Sequence, residues 1–313
     1  MLSAISRPVL HRRPSVAAAT AAAAALLLAG CGSGGGTPDK AGAAPASLKS
    51  LLPESMQTSG LLRIGADLSY APVGFKGAGG KPDGLDVDLA QALGQVLGVQ
   101  VQFVDVPFEK LLPGLEASQF DVVMSGMTDN AQRRDGSDDD GQKSGPGVDF
   151  VDYYITGSSI VVAQGNPQRI SSLDDLCGRT VALQKGTVQA ALAQRQNAAC
   201  QKAHKQLTVR ATATDDEALA LVAQGKATAD LSDSPVAALA AKQGRGGAQF
   251  QVTGEQLPAA PYGIAVPKAD TVLRDALVRA LDRVIRDGDY EKILAKWELL
   301  DGAAQNAVVN GGF

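Results

Sequence analysis

Arg133 stands just past the small-residue turn Ser125-Gly126-Met127-Thr128, where the apolar stretch Phe120 to Met124 has ended. A guanidinium is a planar fork of donors that matches a carboxylate bidentately, so an arginine in the loop after a strand is a candidate anion holder. Arg134 beside it leaves open which of the two does this, and whether either is simply a surface charge. Gln184-Lys185-Gly186-Thr187 offers a second device for the same anion. Its glycine lets the backbone approach closely, and the helix that follows opens on N–H groups with no partner inside the helix. Thr187 would add a hydroxyl clamp, although the stretch also reads as an ordinary strand-to-helix turn. Asp233, just before Ser234-Pro235, is a candidate anion and equally a candidate helix N-cap. A cation, an anion and an apolar wall are what a zwitterionic amino acid requires of its site.

Competing chemistries find little support. The only histidines are His11 and His204, so no Ser-His-Asp, Cys-His or metal-ligand constellation can be assembled, and neither a metal nor a cofactor is expected. The acidic segment Arg134 to Gly147 carries Asp135, Asp138, Asp139 and Asp140, but not at the spacing of a calcium loop, and reads as a solvated insertion. There is no basic patch with interleaved aromatics, which argues against nucleic acid.

These residues need elements to hold them. Leu61 to Ala66 reads as a strand. Asp86 to Leu97 reads as a helix, with Leu89, Ala92, Leu93, Val96 and Leu97 on one face, Asp86 and Asp88 in its first turn and Gly98 as its stop. A strand through Val99, Val101 and Phe103, a helix from Phe108 to Ser118 and a strand over Phe120 to Met124 follow. The second half repeats the habit: strand Thr180 to Leu183, helix Val188 to Gln196, a Thr214-x-x-Glu217 capping box, strand Ala229 to Leu231, and a helix near Pro235. Strand Tyr262 to Val266 and a long amphipathic helix from Leu273 to Ile285 end the pattern. Alternation of this kind predicts an α/β fold with mostly parallel sheets, in which ligands sit at the carboxyl ends of the strands.

The first thirty residues stand apart from the fold. Arg7, Arg12 and Arg13 precede an apolar run from Val16 to Leu28, which falls short of the roughly 20 residues a membrane span needs. The run ends in Leu28-Ala29-Gly30-Cys31, which resembles the lipobox of bacterial lipoproteins, whose cysteine carries a diacylglyceryl group. Residues 1–30 therefore read as a lipoprotein signal peptide and 31–50, rich in Gly, Ser, Ala and Pro, as a flexible tether. Loss of the leader removes three arginines and no acid, moving the net charge from −4 to −7. Membrane contact is thus expected through lipid rather than basic side chains. Setting Cys31 aside leaves Cys177 and Cys200, an even pair that in an exported chain favours a disulfide over two reduced structural cysteines.

The stretches IGADLSYAPVGF, GLDVDLAQALGQVLGV, VPFEKLLPGL, FDVVMSGMT, VDFVDYY, SLDDLCGRTVALQKGT, ADLSDSPVA, YGIAV and DGDYEKILAKW, in this order, resemble the solute-binding proteins of polar amino-acid ABC importers, bacterial extracellular solute-binding protein family 3. The resemblance implies a two-lobed, type II periplasmic-binding-protein-like fold with two crossover strands as hinge. Lobe one would comprise residues 51–157 and 258–313, and lobe two 158–257. It implies that Arg133 and Thr187 hold the ligand carboxylate, with Ser125, Gly126, Thr128 and Gly186 in the same loops, and that Asp233 holds the ammonium. Tyr70 and Phe108 would sandwich the side chain, Phe108 having core packing as its rival role, and Asp67 would meet a polar or cationic side chain. Val188 replaces a threonine that the family often has. Trp297 is expected to pack. The implied partners are an ABC permease with its ATPase, and the chain is expected to be monomeric, extracytoplasmic and lipid-anchored. An enzyme on the same fold, of the cyclohexadienyl-dehydratase kind, and a ligand-sensing receptor are the rivals; a sensor would carry a fused membrane-spanning module, which this sequence is expected to lack.

Overall fold

The computed structural model describes residues 47–137, 143, 145–243 and 249–312. The leader, Cys31 and most of the tether lie outside the described residues, as do Asp138, Asp139 and Asp140 of the acidic segment.

The described chain opens with α1 (Glu54–Ser59) and β1 (Leu61–Ala66), then a small antiparallel sheet of β2 (Ser69–Tyr70), β3 (Gly74–Lys76) and β4 (Pro82–Asp83). The helix α2 (Leu85–Leu97) ends on Gly98, whose φ of 71° closes the last turn as a left-handed cap. Its buried line runs Leu85, Leu89, Leu93 and Leu97, while Ala92 and Val96 are only half-buried, so the inward face is rotated from the one expected. Next come β5 (Gln100–Asp105), α3 (Leu111–Glu116), β6 (Val122–Val123) and α4 (Ala131–Asp135). The single helix expected from Phe108 to Ser118 is instead a 3₁₀ turn over Phe108–Lys110 followed by α3. Pro113 removes one backbone donor there, and Ser118, at φ 55°, ends the segment in the left-handed region.

The long strand β7 (Val148–Thr156) leads through Gly157 alone into β8 (Ser158–Ala163). Then follow β9 (Thr180–Gln184), α5 (Val188–Lys202), β10 (Thr208–Thr212), α6 (Asp215–Ala223), β11 (Ala229–Asp233), α7 (Ser234–Lys242) and β12 (Phe250–Thr253). The return strand β13 (Ala260–Pro267), α8 (Thr271–Arg286), α9 (Asp289–Lys296) and β14 (Ala303–Val309) complete the order.

Two main sheets result, with strand orders β14-β7-β13-β6-β1-β5 and β10-β9-β11-β8-β12. The expectation of mostly parallel sheets is corrected. Parallel pairing is confined to β1 with β5 and β6, and to β9 with β10 and β11, where helices make the crossovers. The crossover strands β7, β8, β12 and β13 pair antiparallel, because a chain that leaves one sheet and returns must run against its neighbours. The two passages touch: Leu257 N–H donates to Ser158 O at 2.8 Å, and a β-carbon on Gly157 would stand 2.2 Å from Leu257 O. Each sheet has its own apolar core, one built on α2, α8 and α9, the other on Ile160, Leu183, Leu207 and Leu231. This is a two-lobed α/β fold with two crossover strands. The disulfide Cys177–Cys200, with Cα atoms 5.2 Å apart, ties the end of α5 to the loop before β9.

Candidate functional site

The carboxyl ends of β1, β6, β9 and β11 meet between the lobes. Asp67 follows β1 directly and is buried. Its N–H donates to Ser125 Oγ at 2.9 Å, and its Oδ1 accepts from the Ser69 hydroxyl at 2.6 Å. Its Oδ2 accepts from Phe108 N–H at 3.2 Å and, across the cleft, from Gln184 Nε2 at 2.7 Å.

The loop after β6 is fixed from beneath. Gly126, at φ 55°, donates its N–H to Asp86 Oδ2 at 2.7 Å, and Asp86 Oδ1 accepts from the Tyr153 hydroxyl at 2.6 Å. Burial pushes the Asp86 carboxyl up to about 7, against the pull of these two donors. Asn130 then caps α4 by accepting from Arg133 N–H at 2.8 Å. Arg133 Nη1 donates to Thr128 O at 2.7 Å and Nη2 to Gly186 O of the other lobe at 3.0 Å, with its guanidinium carbon 5.5 Å from the Phe108 ring centre. That distance suits a cation–π contact. Arg134 turns the other way and pairs with buried Asp129 at 2.6 Å. Of the two arginines, Arg133 is the one that faces the cleft.

From the second lobe, Gly186 has φ 76°, and a β-carbon there would stand 3.2 Å from Glu109 Cα. Thr187 is the N-cap of α5, its hydroxyl accepting from Ala190 N–H at 3.1 Å and donating to Gln184 O at 2.9 Å. Asp233 occupies the N-cap position of α7, yet its side chain makes no cap bond. Its Oδ2 accepts from the Tyr70 hydroxyl at 3.0 Å and its Oδ1 from Gln189 Nε2 at 2.7 Å. The Tyr70 oxygen in turn accepts from Asp233 N–H at 2.9 Å. Burial raises the Asp233 carboxyl to about 6, held down by the nearby hydroxyls of Tyr262 and Tyr70, by Gln189 and by the positive charge of Arg133. Tyr262 Oη lies close to this carboxylate but outside hydrogen-bonding geometry.

Tyr70, Phe108, Gly126, Thr128, Arg133, Thr187 and Asp233 line one cavity together with Gln184, Val188 and Gln189. It measures about 10 Å³, near the least that a single water needs, so the lobes are shut upon it. Asp67, Ser125 and Gly186 stand one layer behind. A wider cleft of about 830 Å³, flanked by Phe75, Asp216 and Leu239, contains none of the residues singled out by sequence. Phe108 is half-buried: it lines the cavity and also packs against the core cluster that contains Leu111 and Leu115. Trp297 packs edge-on against Phe75 at 5.8 Å. Sequence reading missed Gln184, Gln189, Asp86 and Tyr262. Gln189, in the first turn of the helix after the candidate anion loop, is a neutral amide whose burial and partner only the fold reveals, and Asp86 read only as a first-turn acid. Among the described residues, no group of three or more His, Cys, Asp or Glu side chains could hold a metal, and no helix is long and apolar enough to cross a membrane.

A two-lobed α/β fold with a cation from one lobe and an anion from the other on one buried cavity defines the class of bilobal solute receptors. The chain belongs to the bacterial extracellular solute-binding proteins, family 3, whose model matches residues 62–299. Among its relatives, the arginine-binding protein ArgT of Corynebacterium glutamicum is 31% identical over 265 residues, covering 84% of this chain and 82% of that protein. An ancestral arginine-binding protein bound to arginine superposes with a TM-score of 0.68 at 33% identity, over 76% of this chain and 98% of that one. An ancestral amino acid-binding protein, AncCDT-1, a precursor of cyclohexadienyl dehydratase, gives 0.67 at 32% identity, over 79% and 99%.

Proposed function

We propose that this protein is the lipid-anchored solute receptor of an amino-acid ABC importer, and that its ligand is a cationic amino acid, arginine first. One observation carries the reading: Arg133 and Asp233, opposite charges contributed by different lobes, face a single cavity walled by Tyr70 and Phe108. An α-carboxylate would take the place of Gly186 O on Arg133, with Thr187 and the amino end of α5 as its second clamp. An α-ammonium would take the place of the Tyr70 hydroxyl or Gln189 on Asp233. A guanidinium or ammonium at the ligand's far end would replace the Gln184 amide on Asp67. Each exchange substitutes a charged partner for a neutral one, which strengthens the hydrogen bond. Ligand therefore rewards closure, and the lobes, 51–157 with 258–313 and 158–257, swing about the passages at Gly157 and residues 254–259. The strand membership of the two sheets supports these bounds.

Arginine is favoured because ArgT and the ancestral structure bear that name and because the Asp67 carboxylate stands directly behind the Gln184 amide that lines the cavity. A receptor rather than an enzyme is favoured because the relatives named above are binding proteins; AncCDT-1 is itself one, although its descendants include a dehydratase. The lipid on Cys31 would keep the receptor beside its permease and ATPase, with two acyl chains holding where one would not. The receptor is monomeric in this reading.

Calorimetric titration with the twenty amino acids tests it. A micromolar ligand would correspond to roughly −8 kcal/mol. Arg133→Ala should weaken binding by about 2–5 kcal/mol with an unchanged circular dichroism spectrum, because a carboxylate is left unpaired in a closed cleft. Full affinity in that variant would remove Arg133 from the site.

A further inference from the structure

β14 closes the edge of the first sheet, with Val308 opposite Asp152 and Val309 opposite Val151. Beyond it, residues 310–312 continue as a strap towards the cation loop. Asn310 fastens the strap to β7: its N–H donates to Phe150 O at 3.1 Å, its Oδ1 accepts from Phe150 N–H at 2.8 Å, and its Nδ2 donates to Asp149 Oδ1 at 3.0 Å. Gly311 N–H donates to Asp152 Oδ2 at 2.8 Å. Gly312 N–H donates to Asp129 Oδ2 at 2.8 Å, while its carbonyl accepts from Arg134 Nη1 at 3.0 Å. A β-carbon on Gly312 would stand 2.2 Å from Asp129 O, so no other residue permits this approach.

The two residues that Gly312 grips, Asp129 and Arg134, adjoin the cation Arg133 and the Thr128 carbonyl that holds it. Asp129 is fully buried and follows Thr128, whose carbonyl takes Arg133 Nη1. Arg134 follows Arg133 on α4, and consecutive helical residues point about 100° apart. With Arg134 drawn to Asp129 and Gly312 O, Arg133 is left directed at the cleft.

We propose that the strap is a positioning element of the binding site, in which Gly312, Asp129 and Arg134 set the direction from which Arg133 meets the ligand. This rests on Arg133 being the partner of the ligand's carboxylate. The test places a stop codon after Val309 in the wild-type and Arg133→Lys backgrounds, with L-arginine as titrant. In parallel, the Arg133 Nε–H resonance, assigned by its loss in Arg133→Lys, is followed without ligand. Truncation should weaken binding about tenfold in the wild-type background and less than about twofold in Arg133→Lys, the coupling expected of residues linked through one hydrogen-bond network. It should also displace the Arg133 resonance. Equal losses in both backgrounds, or an unmoved resonance, overturn the proposal. Should the truncated chain fail to fold, full-length Gly312→Val supplies the same comparisons. Full affinity in Arg133→Ala is a separate outcome that removes the cation from the site; wild-type affinity after truncation, with a defect in Arg133→Ala, removes only the strap.

Discussion

Asp233 is the residue on which pH acts in two opposite senses. Burial raises its carboxyl to about 6, so the folded protein binds this proton more tightly than the unfolded chain does. Its contribution to stability is therefore fully present below the ordinary carboxylate pKa near 4 and is lost as pH rises through about 6. Ligand binding runs the other way, because only the ionised carboxylate attracts an ammonium. Affinity for a cationic amino acid should fall between pH 7.5 and pH 5, and Asp233→Asn should bind weakly with a flat profile; titrations at the two pH values check both. A steep profile in Asp233→Asn would assign the titrating group elsewhere. At this scale much was legible. Arg133, Thr187 and Asp233 announce themselves by charge or hydroxyl at strand ends. Gln184 and Gln189 do not, because a neutral amide becomes informative only when its burial and its partner are known.

Among the elements, α5 joins the site to the disulfide. Its N-cap Thr187 lines the cavity, whereas Cys200 lies 13 residues on, about 20 Å along the axis. Closing the loop between Cys177 and Cys200 should stabilise by roughly 3 kcal/mol through the unfolded chain. Cys177→Ser with Cys200→Ser should thus lower stability in urea by about that amount and leave ligand affinity within about twofold, since the bond sits at the far end of the helix. Loss of binding at temperatures where the variant is folded would contradict this separation. The loop at the near end is a different case. Gly186 is both left-handed and pressed against Glu109 of the other lobe. Gly186→Val should hold the lobes apart, weakening binding by about tenfold or more and leaving a larger radius of gyration by X-ray scattering in saturating ligand. Wild-type compaction would show that the contact is dispensable.

For the whole molecule, burial sets the acid–base balance. Asp86, Asp152 and Asp230 are each raised to about 7, chiefly by desolvation. Neither Asp230 oxygen has a partner of hydrogen-bonding geometry among the described residues. All three, with Asp233, contribute stability below pH 4 that is lost as pH rises towards 7. Asp149 has the opposite sign, lowered by Asn310 and Arg274 against its burial, and costs stability only below the ordinary carboxylate range. The unfolding midpoint should therefore be higher near pH 5 than at pH 8, each kcal/mol moving it by about 2–4 °C for a fold of this size. Asp230→Asn should flatten the decline. A midpoint that rises towards pH 8 would mean that these carboxyls ionise freely in the fold.

Local chemistry by itself determined a good deal: the alternation of strands and helices, the glycine stop after Leu97, the pairing of Cys177 with Cys200, and the strand-end loops that carry the candidate ligands. These depend on periodicity, parity and residues close in the chain. Tertiary structure alone decided which arginine enters the cleft, that Asp233 faces Tyr70 rather than capping α7, that the sheets are mixed, and that residues 310–312 grip the cation loop. Each of those outcomes joins residues far apart in sequence, where spacing holds no signal and only packing chooses the partner.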